Sequence, residues 1–280
     1  IIPMPQNPDL LQDIQEVDIP AYPSMKQAWL ITLVLFLLSN AVHFSFYFLS
    51  GYVSFELIYA VYLLDVTLPL LLVCGYLVVH RQKTAGPGMG LLLRIPKGNN
   101  LWMLLLIVPA LYFQLIFLRY LAGELPFSWD GRWHMIHNKI MYCLVFILLI
   151  PAMQEFIFRG VILNGLLKKY PPTTSVVMAS LMAVVPYIYP TSMLLFLPVT
   201  AFLSWLYYRS RSLTFTFLSN ALLSFIPLAV NFGRAETVIK PAVIATSPDS
   251  MTWLAVALLV FWVGIIFFNK DILESNDNLR

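Results

Sequence analysis

The chain has 280 residues, of which 60% are hydrophobic and only 11% are charged, and its mean hydropathy is +0.79. A soluble domain carries about 25% charged residues, so this composition excludes a soluble protein and predicts a surface that faces lipid. The net charge of +3 is too small to indicate a nucleic-acid partner. The apolar runs are continuous rather than alternating, which excludes an outer-membrane barrel. The composition therefore predicts an all-α, polytopic membrane helical bundle.

Apolar runs of about 20 residues, long enough to cross a bilayer as helices, recur along the chain. The eight predicted transmembrane helices cover residues 28–49, 54–79, 101–122, 138–158, 173–189, 191–209, 212–232 and 251–268. The fifth and sixth runs are short and separated only by Pro190, so they are either two helices or one bent, re-entrant pair. The chain divides accordingly into an N-terminal tail (1–25), a membrane domain (26–270) and a C-terminal tail (271–280).

The basic residues of the predicted loops indicate the orientation, since cytoplasmic loops are enriched in Lys and Arg. An even number of helices places both termini on one side of the membrane. The loops of that side carry eleven basic residues: Lys26, Arg81, Lys83, Arg94, Lys97, Lys168, Lys169, Arg209, Arg211, Lys270 and Arg280. The opposite side carries five: Arg119, Arg132, Lys139, Arg234 and Lys240. We therefore predict that both termini are cytoplasmic.

Polar residues also occur within the first two predicted helices. A charge at membrane depth costs about 2.5–3.5 kcal/mol on insertion scales, so each needs a partner or a function. Asn40 and His43 share one face of the first helix, and Asp65 lies in the second. We predict a pair between His43 and Asp65, which is either a structural contact or part of a transport path. Cys74 and Cys143 are isolated in apolar runs, which predicts neither a disulfide nor a metal site.

The segment PAMQEFIFRG, residues 151–160, places Gln154, Glu155 and Arg159 at the predicted end of the fourth helix. Glu155 and Arg159 are four residues apart, so on a helix their side chains meet as an ion pair. In lipid this pair is much less costly than a lone arginine. The residues alone leave two interpretations open: a structural ion pair that closes the cytoplasmic end of the helix, or part of an active site.

Two further segments follow the motif at a characteristic spacing, VVMASLMAVVPYIYP and then SRSLTFTFLSNALLSF. Together with QEFIFRG they resemble the motifs of the CPBP family, the CAAX proteases and bacteriocin-processing enzymes also called Abi. QEFIFRG is similar to the family's Glu-Glu-x-x-x-Arg motif, and the later segments occupy the places of its Phe-x-x-x-His helix and its Ser-Leu region with His-x-x-x-Asn. The resemblance covers about residues 90–230.

The resemblance implies roles for particular positions. In that family the first glutamate is understood to activate a water for peptide hydrolysis, with an arginine further along the same helix. These positions correspond to Gln154, Glu155 and Arg159. Gln154 cannot act as a base, because a carboxamide does not take up a proton near neutral pH.

The other family positions have also changed. The two family histidines, with an Asn or Asp, are understood to bind the water and stabilise the oxyanion. The Phe-x-x-x-His pair corresponds to Ala183 and Tyr187, and the last His and Asn correspond to Asn220 and Ser224. None of the four histidines of this chain follows the first motif. The family set is therefore degenerate.

We accordingly expect a non-catalytic binding or scaffold subunit of a membrane complex, with no cofactor and no metal. Its expected partners are the lipid bilayer and a membrane protein or transmembrane peptide, but no nucleic acid. The resemblance implies a location in a bacterial cytoplasmic membrane. Two alternatives stay open: an active CAAX-type endopeptidase that uses Glu155, and a transporter component that uses Asp65 and His43.

Overall fold

A computed structural model describes residues 22–50, 52, 55–85, 100–121, 143–186, 190–231 and 249–277. These residues form eight helical segments and no strand, which confirms the all-α prediction. The segments are α1 (Met25–Ser50), α2 (Phe55–Ala85), α3 (Asn100–Leu121), α4 (residues 143–166), α5 (Pro172–Val184), α6 (Pro190–Ser210), α7 (Leu213–Asn231) and α8 (Ser250–Asp277).

Several helices are built to cross a membrane. Among the described residues, four stretches are long and apolar enough: Met25–Leu49, Leu63–His80, Leu144–Leu166 and Ser250–Lys270. Shorter apolar stretches are Trp102–Leu118, Pro172–Val184 and Leu213–Ile226. The stretch in α4 is 61% buried, whereas those in α1, α2 and α8 are 17%, 28% and 11% buried. The protein is a polytopic helical membrane bundle in which α4 is central and α1, α2 and α8 face outwards.

Helix α4 departs from regular α-helical geometry. Its residues Cys143–Leu149 and Phe156–Leu163 form π-helical turns, separated by the α-helical piece Ile150–Glu155. Pro151 has no N–H to donate to the preceding turn, which favours such a local widening. At the end of the second π segment, the Asn164 amide donates to the Arg159 carbonyl five residues back. Single π turns inside helices are frequent at functional sites.

The predicted end of the fourth helix at residue 158 was wrong, because α4 continues to Leu166. Arg159, Asn164 and Gly165 have the polar and flexible character of a helix end. In the structure Gly165 instead allows the chain before α1 to approach, since a Cβ there would lie 2.6 Å from the Tyr22 carbonyl oxygen. The QEFIFRG motif therefore lies in the middle of the central helix, away from either end.

The fifth and sixth predicted runs form two separate helices that pack side by side. Helix α5 has 13 residues, which is about 20 Å of helix and shorter than a hydrocarbon core of about 30 Å. Two reciprocal bonds join it to α6: the Thr200 hydroxyl donates to the Ser180 carbonyl (3.1 Å), and the Ser180 hydroxyl donates to the Thr200 carbonyl (3.3 Å). The described part of α5 is therefore a short apolar helix that packs against α6.

The helices bury two apolar clusters. The first joins α1, α2, α4 and α5, with Tyr207 of α6 and Leu213 of α7, and the second joins α3, α6, α7 and α8. In lipid these clusters are stabilised mainly by close van der Waals packing, for which small residues at the contact are needed. Gly264 of α8 is such a residue, since a Cβ there would lie 2.5 Å from Cγ1 of Ile107 in α3.

The packing brings the basic residues of several loops to one end of the bundle. The Met25 amide donates to the Tyr170 hydroxyl (3.4 Å), and the Tyr22 and His80 rings lie 4.8 Å apart. These contacts place the start of α1 beside the ends of α2 and α4. The described basic residues beside these contacts are Lys26 at the start of α1 and Lys168 and Lys169 after α4.

Candidate functional site

The centre of the bundle contains an ion pair between α4 residues one turn apart. Nη1 of Arg159 donates to Oε1 of Glu155 at 3.2 Å, and both side chains are 2% exposed. This geometry confirms the pair predicted from the spacing. Because the two charges are removed from water and lipid together, each is the main compensation for the other.

Two other helices complete the coordination of this pair. Nη2 of Arg159 donates to the backbone carbonyl of Thr200 in α6 at 2.9 Å. Nδ2 of Asn220 in α7 donates to Oε1 of Glu155 at 2.8 Å. The same Thr200 carbonyl accepts the Ser180 hydroxyl of α5. The ion pair therefore connects α4 to α6 and α7 directly and to α5 through Thr200. We call these residues, together with Gln154, the polar cluster.

Two residues of the polar cluster, Thr200 and Ser180, were not predicted from the sequence. Serine and threonine hydroxyls in apolar helices usually donate to the carbonyl four residues back, so they give little signal of a contact with another helix. Ser180 does so as well, with its hydroxyl 2.7 Å from the Val176 carbonyl. The contribution of Thr200 to Arg159 comes from its main chain, which no residue pattern identifies.

The positions aligned with the family's catalytic residues are partly gathered here. Gln154 is half-buried, and its Oε1 lies 3.5 Å from Nδ2 of Asn220, so that amide is shared between Gln154 and Glu155. Ser224 is one turn further along α7, and its hydroxyl donates to the Asn220 carbonyl at 3.0 Å. Ala183 is buried in α5. Tyr187 lies outside the described residues.

The glycine of the motif allows α7 to approach α4. A Cβ at Gly160 would lie 3.2 Å from Cδ1 of Leu213, the first residue of α7. This contact leaves little space for any side chain at residue 160. The close approach at Leu213 continues along α7 and brings Asn220 to Glu155 two turns later. Arg159 and Gly160 therefore both contribute to the packing of α4 against α6 and α7. Arg159 does so through its charge, and Gly160 through its lack of a side chain.

The interior retains unused hydrogen-bonding capacity. Within the described part of the chain, Oε2 of Glu155 and the hydroxyls of Ser204 and Ser219 are buried and have no hydrogen-bond partner. Ser204 follows Thr200 by one turn of α6, and Ser219 precedes Asn220 in α7. Such atoms favour a polar group or a water molecule beside them. Within the polar cluster, the Oε2 atom of Glu155 can therefore accept a further hydrogen bond.

Metal-binding side chains are scattered in the described ranges, where no three of the His, Cys, Asp and Glu side chains lie together. Cys74 is a free thiol, and its Sγ lies 3.8 Å from the Met153 carbonyl oxygen. The expected absence of a metal and a cofactor stays a prediction.

A second polar contact lies between α1 and α2. Nδ1 of His43 is 2.9 Å from Oδ2 of Asp65, which confirms the predicted pairing. Asn40, on the same face of α1, donates from Nδ2 to its own helix at the Phe36 carbonyl (2.8 Å). This pair is on the outward-facing hairpin and is separate from the polar cluster of α4, α6 and α7.

The fold defines the class of this protein as a polytopic integral membrane helical bundle, with a buried polar cluster at its centre. Residues 136–226 match a family model described as Type II CAAX prenyl endopeptidase Rce1-like. This segment includes all of the cluster residues named above, and the match supports the resemblance to the CPBP family that the motifs indicated. No curated protein and no solved structure matches the chain.

Proposed function

We propose that this protein is a non-catalytic binding or scaffold subunit of a membrane complex, built on the scaffold of a CAAX-type intramembrane protease. The proposal rests mainly on the residues at the first two positions of the motif, Gln154 and Glu155. Gln154 occupies the position of the water-activating glutamate, and Glu155, at 1% exposure, holds Arg159 and Asn220 with one oxygen.

The chemistry of hydrolysis supports this proposal. A general base has to lie within hydrogen-bond reach of the water that it activates, and an electrophilic group has to stabilise the oxyanion. A carboxamide at residue 154 does not provide the base. The other carboxylate is committed to a guanidinium and an amide, and its removal from them would leave Arg159 as a buried, poorly compensated charge.

Binding is consistent with the same residues. Gln154 and Asn220 are neutral side chains that both donate and accept hydrogen bonds. Such groups suit the backbone or a polar side chain of a transmembrane segment, because they satisfy it without adding a charge to the membrane. The partner of this site is therefore a transmembrane segment of another membrane protein.

The proposal includes an orientation. The end of the bundle that holds the start of α1 and the loop after α4 also holds Lys26, Lys168 and Lys169. The enrichment of basic residues in cytoplasmic loops supports a cytoplasmic location of this end and of both termini. The membrane is proposed to be the cytoplasmic membrane of a bacterium.

A cleavage assay tests the proposal. The purified full chain in lipid vesicles, mixed with a farnesylated peptide that ends in a CAAX sequence, is expected to release the C-terminal tripeptide no faster than empty vesicles. The Gln154→Glu variant is also expected to be inactive, because a carboxylate alone does not replace the missing imidazoles. Mass spectrometry of the released tripeptide measures both rates.

The opposite result has a definite signature. Tripeptide release by the wild-type chain that disappears in Glu155→Gln, while the melting temperature of that variant stays within a few degrees, would establish the protease alternative. The Glu155→Gln change keeps the size of the side chain and a carbonyl oxygen for Asn220 and Arg159, but it removes the charge beside Arg159, so the melting temperature has to show that the variant is folded.

A further inference from the structure

The α1–α2 hairpin presents a polar group on a face that is otherwise apolar. The His43 side chain is 43% exposed, although it lies inside the apolar stretch Met25–Leu49, and the Asp65 side chain is 13% exposed. His43 is seven residues before Ser50, the last residue of α1, or about 10 Å along the helix axis. The ring therefore lies about two turns inside the end of an apolar helix, on a side chain that the bundle leaves partly exposed.

The environment of this group is apolar and aromatic. Nearby exposed residues of the two helices are Phe44 (58%), Phe48 (71%), Leu64 (47%) and Val66 (41%). Exposed apolar side chains are ordinary on a lipid-facing helix. A half-exposed imidazole is not, because polar groups within the hydrocarbon usually face protein or a water-filled cavity.

Two polar atoms on this face have no hydrogen-bond partner among the described residues. Asp65 occupies Nδ1 of His43, and among the described residues Nε2 has no hydrogen-bond partner. One turn earlier on the same face, Asn40 donates to Phe36 through Nδ2, and its Oδ1 has no partner in the same ranges. The face thus offers a ring nitrogen and a carbonyl oxygen, one turn apart, towards the outside of the bundle.

We infer that Asn40, His43 and Asp65 form a docking site for one transmembrane helix of another membrane protein, which carries a carboxamide side chain at the depth of His43. A carboxamide has donors for Asn40 Oδ1 and either a donor or an acceptor for His43 Nε2, whichever tautomer is present. Hydrogen bonds of this kind hold helices together within membranes. The site is on α1 and α2, outside the polar cluster, so the inference goes beyond the proposed function.

Two synthetic transmembrane peptides provide the test. Both have a Leu-rich core, and one carries a single Gln at the depth of His43 where the other has Leu. Energy transfer between labelled peptide and the full-length protein in phosphatidylcholine vesicles measures the association. The Gln peptide is expected to bind about 3- to 30-fold more tightly than the Leu peptide, which is the range of a hydrogen bond between membrane helices.

Substitutions in the protein test whether the preference for the Gln peptide depends on this site. His43→Phe is expected to abolish it, His43→Gln to retain part of it, and Trp262→Leu on the outward face of α8 (59% exposed) to leave it unchanged. Elution volume and melting temperature in detergent check the folding of each variant. If His43→Phe does not fold, the wild-type comparison of the two peptides and the His43→Gln variant decide the question.

Three results would overturn the inference. The first is equal binding of the two peptides, and the second is a preference that persists in a folded His43→Phe protein. The third is energy transfer between two labelled copies of this chain that depends on His43, since it would make a second copy the occupant. None of these results depends on the cleavage assay, so failure of this inference is distinguishable from failure of the proposed function.

Discussion

Glu155→Met and Arg159→Met, made separately, are each expected to lower the free energy of unfolding by about 3–5 kcal/mol, because each leaves a buried charge without its main partner. The pair is joined by a 3.2 Å bond and is 2% exposed on both sides. The double variant is expected to lose less than either single variant. It still removes the closer of the two acceptors of the Asn220 amide, which leaves that amide the more distant Gln154 oxygen at 3.5 Å.

Unfolding of the full chain in detergent micelles, followed by circular dichroism against denaturant or temperature, measures these differences. Arg209→Met is the matched control, because Arg209 is exposed and its loss is expected to change the free energy of unfolding by no more than about 0.5 kcal/mol. If the effects of the two single substitutions simply add in the double variant, the two side chains are not coupled and the buried pair does not stabilise the junction.

Gly264→Ala is expected to lower the free energy of unfolding by about 1–3 kcal/mol, the usual cost of overfilling a packed core. The new Cβ would lie 2.5 Å from Cγ1 of Ile107, a side chain that is 1% exposed and has no room to move outwards. The contact between α3 and α8 would therefore have to open. Gly75→Ala is the matched control, since a Cβ there meets nothing within 4 Å.

A second substitution tests the proposed cause. Ile107→Ala removes the obstructing atoms and is itself expected to destabilise, because it leaves a cavity between the helices. Gly264→Ala combined with Ile107→Ala is expected to lose less stability than the sum of the two single variants. The explanation is wrong if the stability losses of Gly264→Ala and Ile107→Ala simply add in the double variant, or if Gly75→Ala and Gly264→Ala lose the same stability. Either result would show that the steric contact between Gly264 and Ile107 does not determine how closely α3 and α8 pack.

The boundaries of the helices show what hydropathy can predict. The first predicted run, 28–49, corresponds to Met25–Ser50, and the seventh, 212–232, corresponds to Leu213–Asn231. Prediction fails where a helix continues beyond the apolar stretch. Helix α8 runs to Asp277, beyond the predicted end at 268, because its last turns are polar. Hydropathy detects the residues that face lipid, whereas backbone hydrogen bonds determine where a helix ends.

Only some contacts of the polar side chains could be predicted from the sequence: those within one helix, and those required by the cost of a charge in lipid. Glu155 and Arg159 are close in the chain, and the helical repeat alone brings their side chains together. The contact of His43 with Asp65 follows from the cost of a charge in lipid, which requires a partner on a neighbouring helix. The parts played by Asn220 and the Thr200 carbonyl do not follow from either rule, because they depend on how α6 and α7 pack against α4.

The amino-acid sequence by itself determined that this protein is a membrane helical bundle and that its central motif contains an ion pair, with the carboxamide of Gln154 directly before it. These properties depend on composition and on neighbours within one helix. Only the tertiary structure decided that the ion pair lies in the middle of α4 and that α7 supplies its third member. It also placed His43 on an outward face. Such properties depend on the register and spacing of separate helices, which are set by steric fit at residues such as Gly160 and Gly264.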